Sequence, residues 1–384
     1  MNILVCNAGS TSLKFKLFEF PAADVLATGK VERVGGDDAI YHFDSGNTHI
    51  KAAGQSVPDY MAGVKRFMGD LDNARIDAVG FKTVLSKGYP GVHLIDEGVM
   101  QGMRDYLAVA PAHNTAYLEV VSVFRELMPD IPLVGSFETA FHTTIPMERR
   151  VYGIPCELTE KYGVYRMGYH GASHGYIAER LKAYRRVISC HLGGSGSLCA
   201  ILDGKSMDNS FGFSLQAGIL HAQRTGDMDV YIIPYLLEQG LSMDEILDGL
   251  CKNGGLKGIS GTSGDLRDVQ TAADAGSARA KLAMEVYVTQ LLRYIGAYFM
   301  ELSGVDAIAF TGGIGENSWR LREMVLDRLA HIGVKYDRAL NRRVSGEQLI
   351  STPDSAVAVH VIPANEELMV VRAVWTWLNN SERK

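Results

Sequence analysis

Apolar positions along the chain follow two rhythms. Short runs dominated by apolar residues predict strands at Ile3–Cys6, Lys14–Phe20, Asp77–Val84, Pro132–Phe137, Arg186–His191, Leu198–Leu202, Asp306–Thr311 and Val357–Pro363. Longer stretches with helical spacing predict helices at Asp59–Leu71, Thr115–Leu127, Ala280–Leu302 and Glu366–Leu378. In the third of these, Leu291, Leu292, Ile295, Tyr298, Phe299 and Leu302 recur on one face, which suits a core or a dimer contact. Strands that alternate with helices point to α/β layers.

The pattern also repeats. Residues 3–20, ILVCNAGSTSLKFKLFEF, and residues 187–204, VISCHLGGSGSLCAILDG, each read as an apolar strand, a tight Gly/Ser turn and a second apolar strand. Small residues in such a turn let backbone N–H groups approach an anion closely. Two such hairpins, opening comparable parts of the chain, suggest a duplicated domain around a shared cleft. A third glycine cluster follows the strand in VDAIAFTGGIGENS, residues 305–318, where Gly312, Gly313 and Gly315 permit a sharp turn at the carboxyl end of a strand. The chain contains no Gly-x-x-x-x-Gly-Lys-Ser/Thr, and its glycine spacings do not match Gly-x-Gly-x-x-Gly.

Composition narrows the function class. A length of 384 residues predicts two domains. With 47% hydrophobic and 21% charged residues the chain is an ordinary globular one. A formal net charge of -6 argues against nucleic-acid binding, which needs clustered Lys and Arg. No apolar run is long enough to span a membrane, and the start MNILVCNAGSTS does not read as a signal peptide, so a cytoplasmic location is expected. Five cysteines, Cys6, Cys156, Cys190, Cys199 and Cys251, without a Cys-x-x-Cys, predict buried reduced thiols. His170 and His174 are four apart but lack the glutamate of His-Glu-x-x-His, so their spacing does not indicate zinc.

Several segments together resemble the acetate kinase family. Asn7-Ala-Gly-Ser-Thr-Ser-Leu-Lys14 is similar to the family's first signature, and Tyr169-His-Gly-Ala-Ser-His174 to its second. Ala110-Pro-Ala-His-Asn114, Phe137-Glu-Thr-Ala-Phe-His142, His191-Leu-Gly193, Arg224-Thr-Gly-Asp227, Asp265-Leu-Arg267, Gly312-Gly-Ile-Gly-Glu-Asn317 and Pro363-Ala-Asn-Glu-Glu-Leu368 follow in family order. The resemblance implies the sugar kinase/actin/heat-shock chaperone fold: two duplicated ribonuclease H-like α/β domains with a cleft between them, in a homodimer. It implies an N-terminal domain of residues 1–138 plus 368–384 and a C-terminal, nucleotide-binding domain of residues 139–367. The implied reaction is reversible, ATP-dependent and Mg²⁺-dependent phosphorylation of a short-chain carboxylate, acetate or propionate, to an acyl phosphate.

Attack of a carboxylate on a nucleotide's γ-phosphate brings two anions together, so the protein must supply positive charge and alignment. By resemblance Arg224 is the catalytic arginine, and a planar guanidinium suits charge developing on equatorial oxygens. His170 matches a phosphoryl-contacting histidine; it acts electrostatically, because a carboxylate needs no general base at neutral pH. Glu138 stands at the family's catalytic aspartate. Asn7 and Glu366 match the Mg²⁺ positions, and two protein oxygens suffice for an ion that keeps waters and nucleotide phosphates. Lys14 matches a nucleotide contact. So do His191, Leu192, Gly193, Gly194 and Ser195; Asp265, Leu266 and Arg267; and Gly313, Ile314, Gly315, Glu316 and Asn317.

The departures gather on the acceptor side. Where the family carries His-Arg-Val-Val-His-Gly-Gly, this chain has Phe81-Lys-Thr-Val-Leu-Ser-Lys87. Lys82 therefore replaces the substrate-side arginine and loses its bidentate fork, and Phe81 and Leu85 replace two histidines. In the acyl pocket Ala112 replaces a leucine, Tyr169 a phenylalanine and Leu215 a proline. These changes leave open a bulkier acceptor, or a non-catalytic, regulatory nucleotide-binding paralogue.

Overall fold

In the computed structural model, which describes residues 1–9, 11–72 and 74–381 and gives backbone alone at Ala112 and Ser381, the strands assemble into two sheets. Each sheet belongs to one of two compact units. The first is Met1–Thr143 together with the chain from Asn365 on, and the second is Thr144–Ala364.

The first unit holds β1 (Asn2–Gly9), β2 (Ser12–Glu19), β3 (Asp24–Glu32), β4 (Gly36–Asp44), β5 (His49–Val57), β6 (Ala78–Thr83), β7 (Val92–Leu94) and β8 (Leu133–Phe137). They are ordered β5-β4-β3-β2-β1-β6-β8-β7. β1 pairs antiparallel with β2 and parallel with β6. β8, flanked by β6 and β7, is buried at every position, as expected of a strand covered on both faces. On one face Gly80 of β6 lets the final helix, Glu366–Ser381, approach closely: a Cβ there would lie 2.7 Å from the Val374 side chain. Ile3, Val5, Ala78 and Val134 pack with Val370, Val371 and Val374 in that layer. On the other, the helix Tyr60–Asp70, capped by Asp59 accepting from Ala62 N at 2.7 Å, brings Phe67 into a stack with Phe15 at 4.4 Å.

The second unit holds β9 (Arg186–Leu192), β10 (Gly196–Leu202), β11 (Lys205–Asn209), β12 (Ala307–Thr311), β13 (Gln348–Leu349) and β14 (Ala358–Val361), ordered β11-β10-β9-β12-β14-β13. β9 is antiparallel to β10 and parallel to β12, the same opening as β1, β2 and β6. The repeat seen in the sequence is thus a repeat of topology. The helix Ala278–Glu301 buries Met284, Tyr287, Val288, Leu291, Ile295 and Tyr298 in this unit's core. Among the described residues no helix is long and apolar enough to cross a membrane. Cys6, Cys190 and Cys199 are buried, but Cys156 is exposed and Cys251 half-buried, so the expectation of buried thiols holds for three of five; all five are free.

β3, β4 and β5 were not expected. They alternate rather than run apolar: Ala39, Tyr41 and Phe43 are buried while Asp38, His42 and Asp44 are not, which leaves one sheet face polar. The Gly312–Asn317 segment, expected as a turn, is a turn at Gly312 continued as a short helix.

Candidate functional site

Each unit assembles its own cluster of the residues singled out above. In the first, β1 and β6 are in register with Cys6 opposite Phe81, so Asn7 and Lys82 follow as neighbours at the strand ends. Glu138 follows β8 directly and Glu366 opens the final helix. Lys82 Nζ lies 2.9 Å from Glu138 Oε1 and donates to Glu366 Oε2 at 2.7 Å. Their side chains are only 13%, 8% and 18% exposed. Burial disfavours the ammonium, but the two carboxylates outweigh it and hold the Lys82 pKa well above the ordinary lysine value. Lys82 is therefore a fixed cation at neutral pH.

Asn7 Oδ1 accepts from the Tyr117 hydroxyl at 3.0 Å, and the same hydroxyl accepts from Ala8 N at 3.2 Å. Asn7 is thereby oriented at the end of the strand next to the one that carries Lys82. With both carboxylates ionised, Lys82, Glu138 and Glu366 carry one net negative charge, which favours a further cation. The donors on offer are oxygens, as a hard divalent ion takes. Among the described residues no group of three or more His, Cys, Asp or Glu is placed to cage a metal, so waters and ligand oxygens would complete the shell. The residues fit Mg²⁺ on those terms.

Phe81 and Leu85 turn out to be packing positions. Phe81 is fully buried, edge-on to Phe124 at 5.5 Å, and Leu85 is 2% exposed with its carbonyl accepting from Asn114 Nδ2 at 3.1 Å. Strand alternation turns Phe81 away from the Lys82 face, so the loss of histidine there alters the core. Ala112 lies in the first turn of the helix Pro111–Leu127, and its side chain is outside the described residues.

In the second unit the β9–β10 hairpin is the organiser. Leu192 faces Gly196, leaving Gly193, Gly194 and Ser195 as the turn. The loop that carries Arg224 docks on it: Ala222 N donates to Gly194 O at 2.9 Å, Gly196 N to His221 Nδ1 at 3.1 Å, and Arg224 Nη2 to Ser195 Oγ at 2.5 Å. Gly226 has φ of +73°, and a Cβ there would sit 2.5 Å from the carbonyl oxygens of Gly218 and Ile219, so only glycine fits. Asp227 then accepts from Gly218 N at 2.8 Å and from the Tyr294 hydroxyl at 2.5 Å. Burial pulls the Arg224 pKa below the usual arginine value, though a guanidinium remains a cation near neutrality.

His170 precedes the helix Gly171–Arg180 with a left-handed φ of +58°, a conformation that costs a non-glycine residue about 1–3 kcal/mol and marks functional sites. Its Nδ1 is 2.9 Å from Ser197 Oγ. Ser197 Oγ is also 2.8 Å from His174 Nε2, and His174 Nδ1 is 2.8 Å from Ser189 Oγ. The His191 ring lies 4.2 Å from that of His170 and bonds Ser173 Oγ through Nδ1 at 2.7 Å. Tyr169 is buried edge-on to Phe211 at 5.5 Å, with its hydroxyl donating to Phe213 O at 2.6 Å; Leu215 lies half-buried in the loop that follows.

β12 runs beside β9 with Thr311 opposite His191, which puts two parallel strand ends next to the hairpin turn. Gly312 turns there with φ of +78°, where a Cβ would meet Leu192 O at 2.7 Å. The buried Arg322 then holds the Gly315 and Glu316 carbonyls, each at 2.8 Å. Asp265 caps the helix Leu266–Asp274 and its carboxylate also takes both prongs of the exposed Arg267, at 3.0 and 2.6 Å. Lys14 is exposed on β2.

Sequence reasoning missed Tyr117, Ser197, His221, Tyr294 and Arg322. Ser197 alone carried a signal, as the small residue that follows the Gly/Ser turn into β10; the others act through contacts that no spacing announces.

Burial, with Arg224 adding to it, pushes the His221 pKa from 6.5 down to about 3, so the ring stays neutral with Nδ1 as an acceptor. The sign follows. Below about 6.5 only the unfolded chain takes up the proton, so the stability contribution is complete above that value and is lost as pH falls toward 3. Between pH 7 and pH 5 this contributes a loss of about 2 kcal/mol. In urea unfolding, wild-type protein is expected to lose that much more than the His221→Gln variant; parallel curves would count against it.

A family model described as the acetokinase family matches residues 2–372. The acetate kinase of Geobacillus kaustophilus is 42% identical over 394 aligned residues, covering 98% of this chain and 99% of that protein. The crystal structure of Porphyromonas gingivalis acetate kinase matches with a TM-score of 0.88 at 34% identity, over 98% of this chain and 99% of that one. A propionate kinase from Francisella tularensis matches with a TM-score of 0.90 at 32% identity, over 97% and 98%.

Proposed function

The chain belongs to the acetokinase family, phosphotransferases with a carboxyl group as acceptor, and we propose that it phosphorylates acetate or propionate with ATP to give the acyl phosphate and ADP. The observation that carries this reading is the β9–β10 hairpin, where Ser195 binds Arg224 and Ser197 binds His170. One rigid Gly/Ser element thus presents a guanidinium and an imidazole from positions two residues apart. That preorganisation suits a phosphoryl group whose charge spreads over its equatorial oxygens.

In the proposed reaction a carboxylate oxygen forms the bond to the γ-phosphorus as the bridging P–O bond breaks, and ADP leaves with the electron pair. No proton has to be removed from a carboxylate at neutral pH. His170 acts as a donor. For that role Ser197 Oγ, 2.9 Å from His170 Nδ1, donates to it, which places the His170 proton on Nε2. Arg224 neutralises the developing charge. Lys82, held by Glu138 and Glu366, draws the acceptor carboxylate as a point charge. Tyr169 and Leu215 bound its alkyl end, where one methylene is worth about 1–3 kcal/mol, so acetate and propionate are poorly separated.

Lys14, residues 191–195, 265–267 and 313–317 hold the nucleotide in this reading. Asn7 and Glu366 would hold Mg²⁺, which when bound supplies positive charge to the phosphate oxygens. A cytoplasmic location and a homodimer complete it. The exposed apolar side chains Val230, Tyr231 and Tyr235, at 69%, 77% and 60%, support a self-association surface.

The test is ADP release with Mg²⁺·ATP and carboxylates from formate to hexanoate. Turnover is expected to peak at acetate or propionate. A peak at a longer acid would move the acceptor; no turnover with ATP bound normally would leave the non-catalytic alternative. Phe81 and Leu85 are buried packing residues, which leaves Lys82 in place of the arginine as the remaining motive for that alternative.

A further inference from the structure

One face of the first unit's sheet carries cations in register. Lys14 pairs with Lys30, Lys30 with His42, and His42 with Lys51, so β2, β3, β4 and β5 each place a basic side chain in one transverse row. Lys16 lies two residues from Lys14 on the same face, and His49 two from Lys51. These six residues line a cavity of about 380 Å³. Like charges directly opposite one another in a ladder destabilise a sheet. The fold compensates little of this: Lys30 pairs with Glu32 at 2.5 Å and His49 with Asp44 at 2.7 Å, while Lys14, Lys16 and Lys51 form no ion pair among the described residues. Of the lining residues, four lysines face Asp44 and Glu367, a local balance of 4 − 2 = +2 with histidines neutral, in a chain whose net charge is -6.

The chemistry of the lining selects a ligand. No arginine lines the cavity, so the bidentate fork that favours carboxylates is missing, whereas lysine ammonium groups suit phosphate oxygens as point charges. Three strand spacings of about 4.8 Å make the row about 14 Å long, longer than one phosphate needs. The volume admits a small molecule.

We propose that this cavity binds a small anion of two or more linked phosphates, at a site separate from the phosphoryl-transfer residues. Lys14, assigned to the nucleotide, lies at its edge, so the nucleotide site is filled first in the test. Full-length protein saturated with a non-hydrolysable ATP analogue, without added divalent metal, is titrated calorimetrically with tripolyphosphate and separately with orthophosphate. One tripolyphosphate per chain is expected, with orthophosphate weaker. In Lys30→Gln/Lys51→Gln, and to a smaller degree in Lys16→Gln, affinity should fall by about tenfold or more. The double variant should keep wild-type turnover of ATP with acetate or propionate. Its melting temperature without ligand should be unchanged or higher, since like charges have been removed, which separates lost binding from lost folding. Absence of a titration in wild-type protein, equal affinity in all variants, or competition between the analogue and tripolyphosphate would overturn the proposal.

Discussion

Arg224→Ala is expected to lower kcat by about 10³-fold or more while ATP affinity stays within a few-fold of wild type. The side chain reaches the hairpin through the Nη2–Ser195 Oγ hydrogen bond, whereas the loop is held by backbone groups: Ala222 N on Gly194 O, His221 N on Arg224 O, and Gly226 against Gly218 and Ile219. Truncation therefore removes the guanidinium and leaves the loop in place. A guanidinium placed for the flattened, equatorial oxygens of the transferring phosphoryl group matches the transition state better than bound ATP, so the loss falls on kcat. Arg224→Lys should be intermediate, keeping charge without the planar fork. Steady-state kinetics and a nucleotide titration check this. A variant with more than a tenth of wild-type turnover, or one whose defect lies mainly in ATP binding, would remove Arg224 from its assigned role.

Lys82→Met should strongly destabilise the first unit. It leaves Glu138 and Glu366, 8% and 18% exposed, facing one another without their shared cation. Removing one partner of a buried ion pair costs about 3–5 kcal/mol. The pH dependence separates this from simple mispacking. Two facing carboxylates raise the pKa of one, and a group whose folded pKa is raised contributes stability at low pH that is lost as pH rises through it. The deficit should therefore be smaller at pH 5 than at pH 8. In wild-type protein the raised Lys82 pKa keeps its contribution intact below the ordinary lysine value and lost only at higher pH. Lys82→Arg should restore stability. Denaturant unfolding at pH 5 and pH 8 reads the Lys82→Met deficit and its rescue by arginine; a Lys82→Met deficit independent of pH would mean that the carboxylates are not coupled through Lys82.

The two hairpins are legible in the sequence because β1, β9 and β10 are largely apolar, β2 keeps a clear alternation of Leu and Phe with Lys, and their turns are built of small residues. β3 to β5 are not, because they show one face to solvent: Lys30 and His42 interrupt the buried Val31, Tyr41 and Phe43. The alternation in AIYHFD was the available signal for β4. The same split governs the site. Arg224, His170, Asn7 and Glu366 lie in motifs that can be quoted from the chain, whereas Tyr117 orienting Asn7 from the helix Pro111–Leu127 is 110 residues away from it. Phe81 and Leu85 show the opposite hazard. They look like lost chemistry beside Lys82, but the strand's alternation turns Phe81 into the core, and the segment beyond it buries Leu85 as well.

The most direct test of the central claim is the product itself. Purified protein, Mg²⁺·ATP and acetate or propionate are incubated with hydroxylamine, and acyl hydroxamate is measured against ADP. Equal amounts of hydroxamate and ADP, both abolished in Arg224→Ala, are the predicted result. ADP formed without hydroxamate would contradict transfer to a carboxylate.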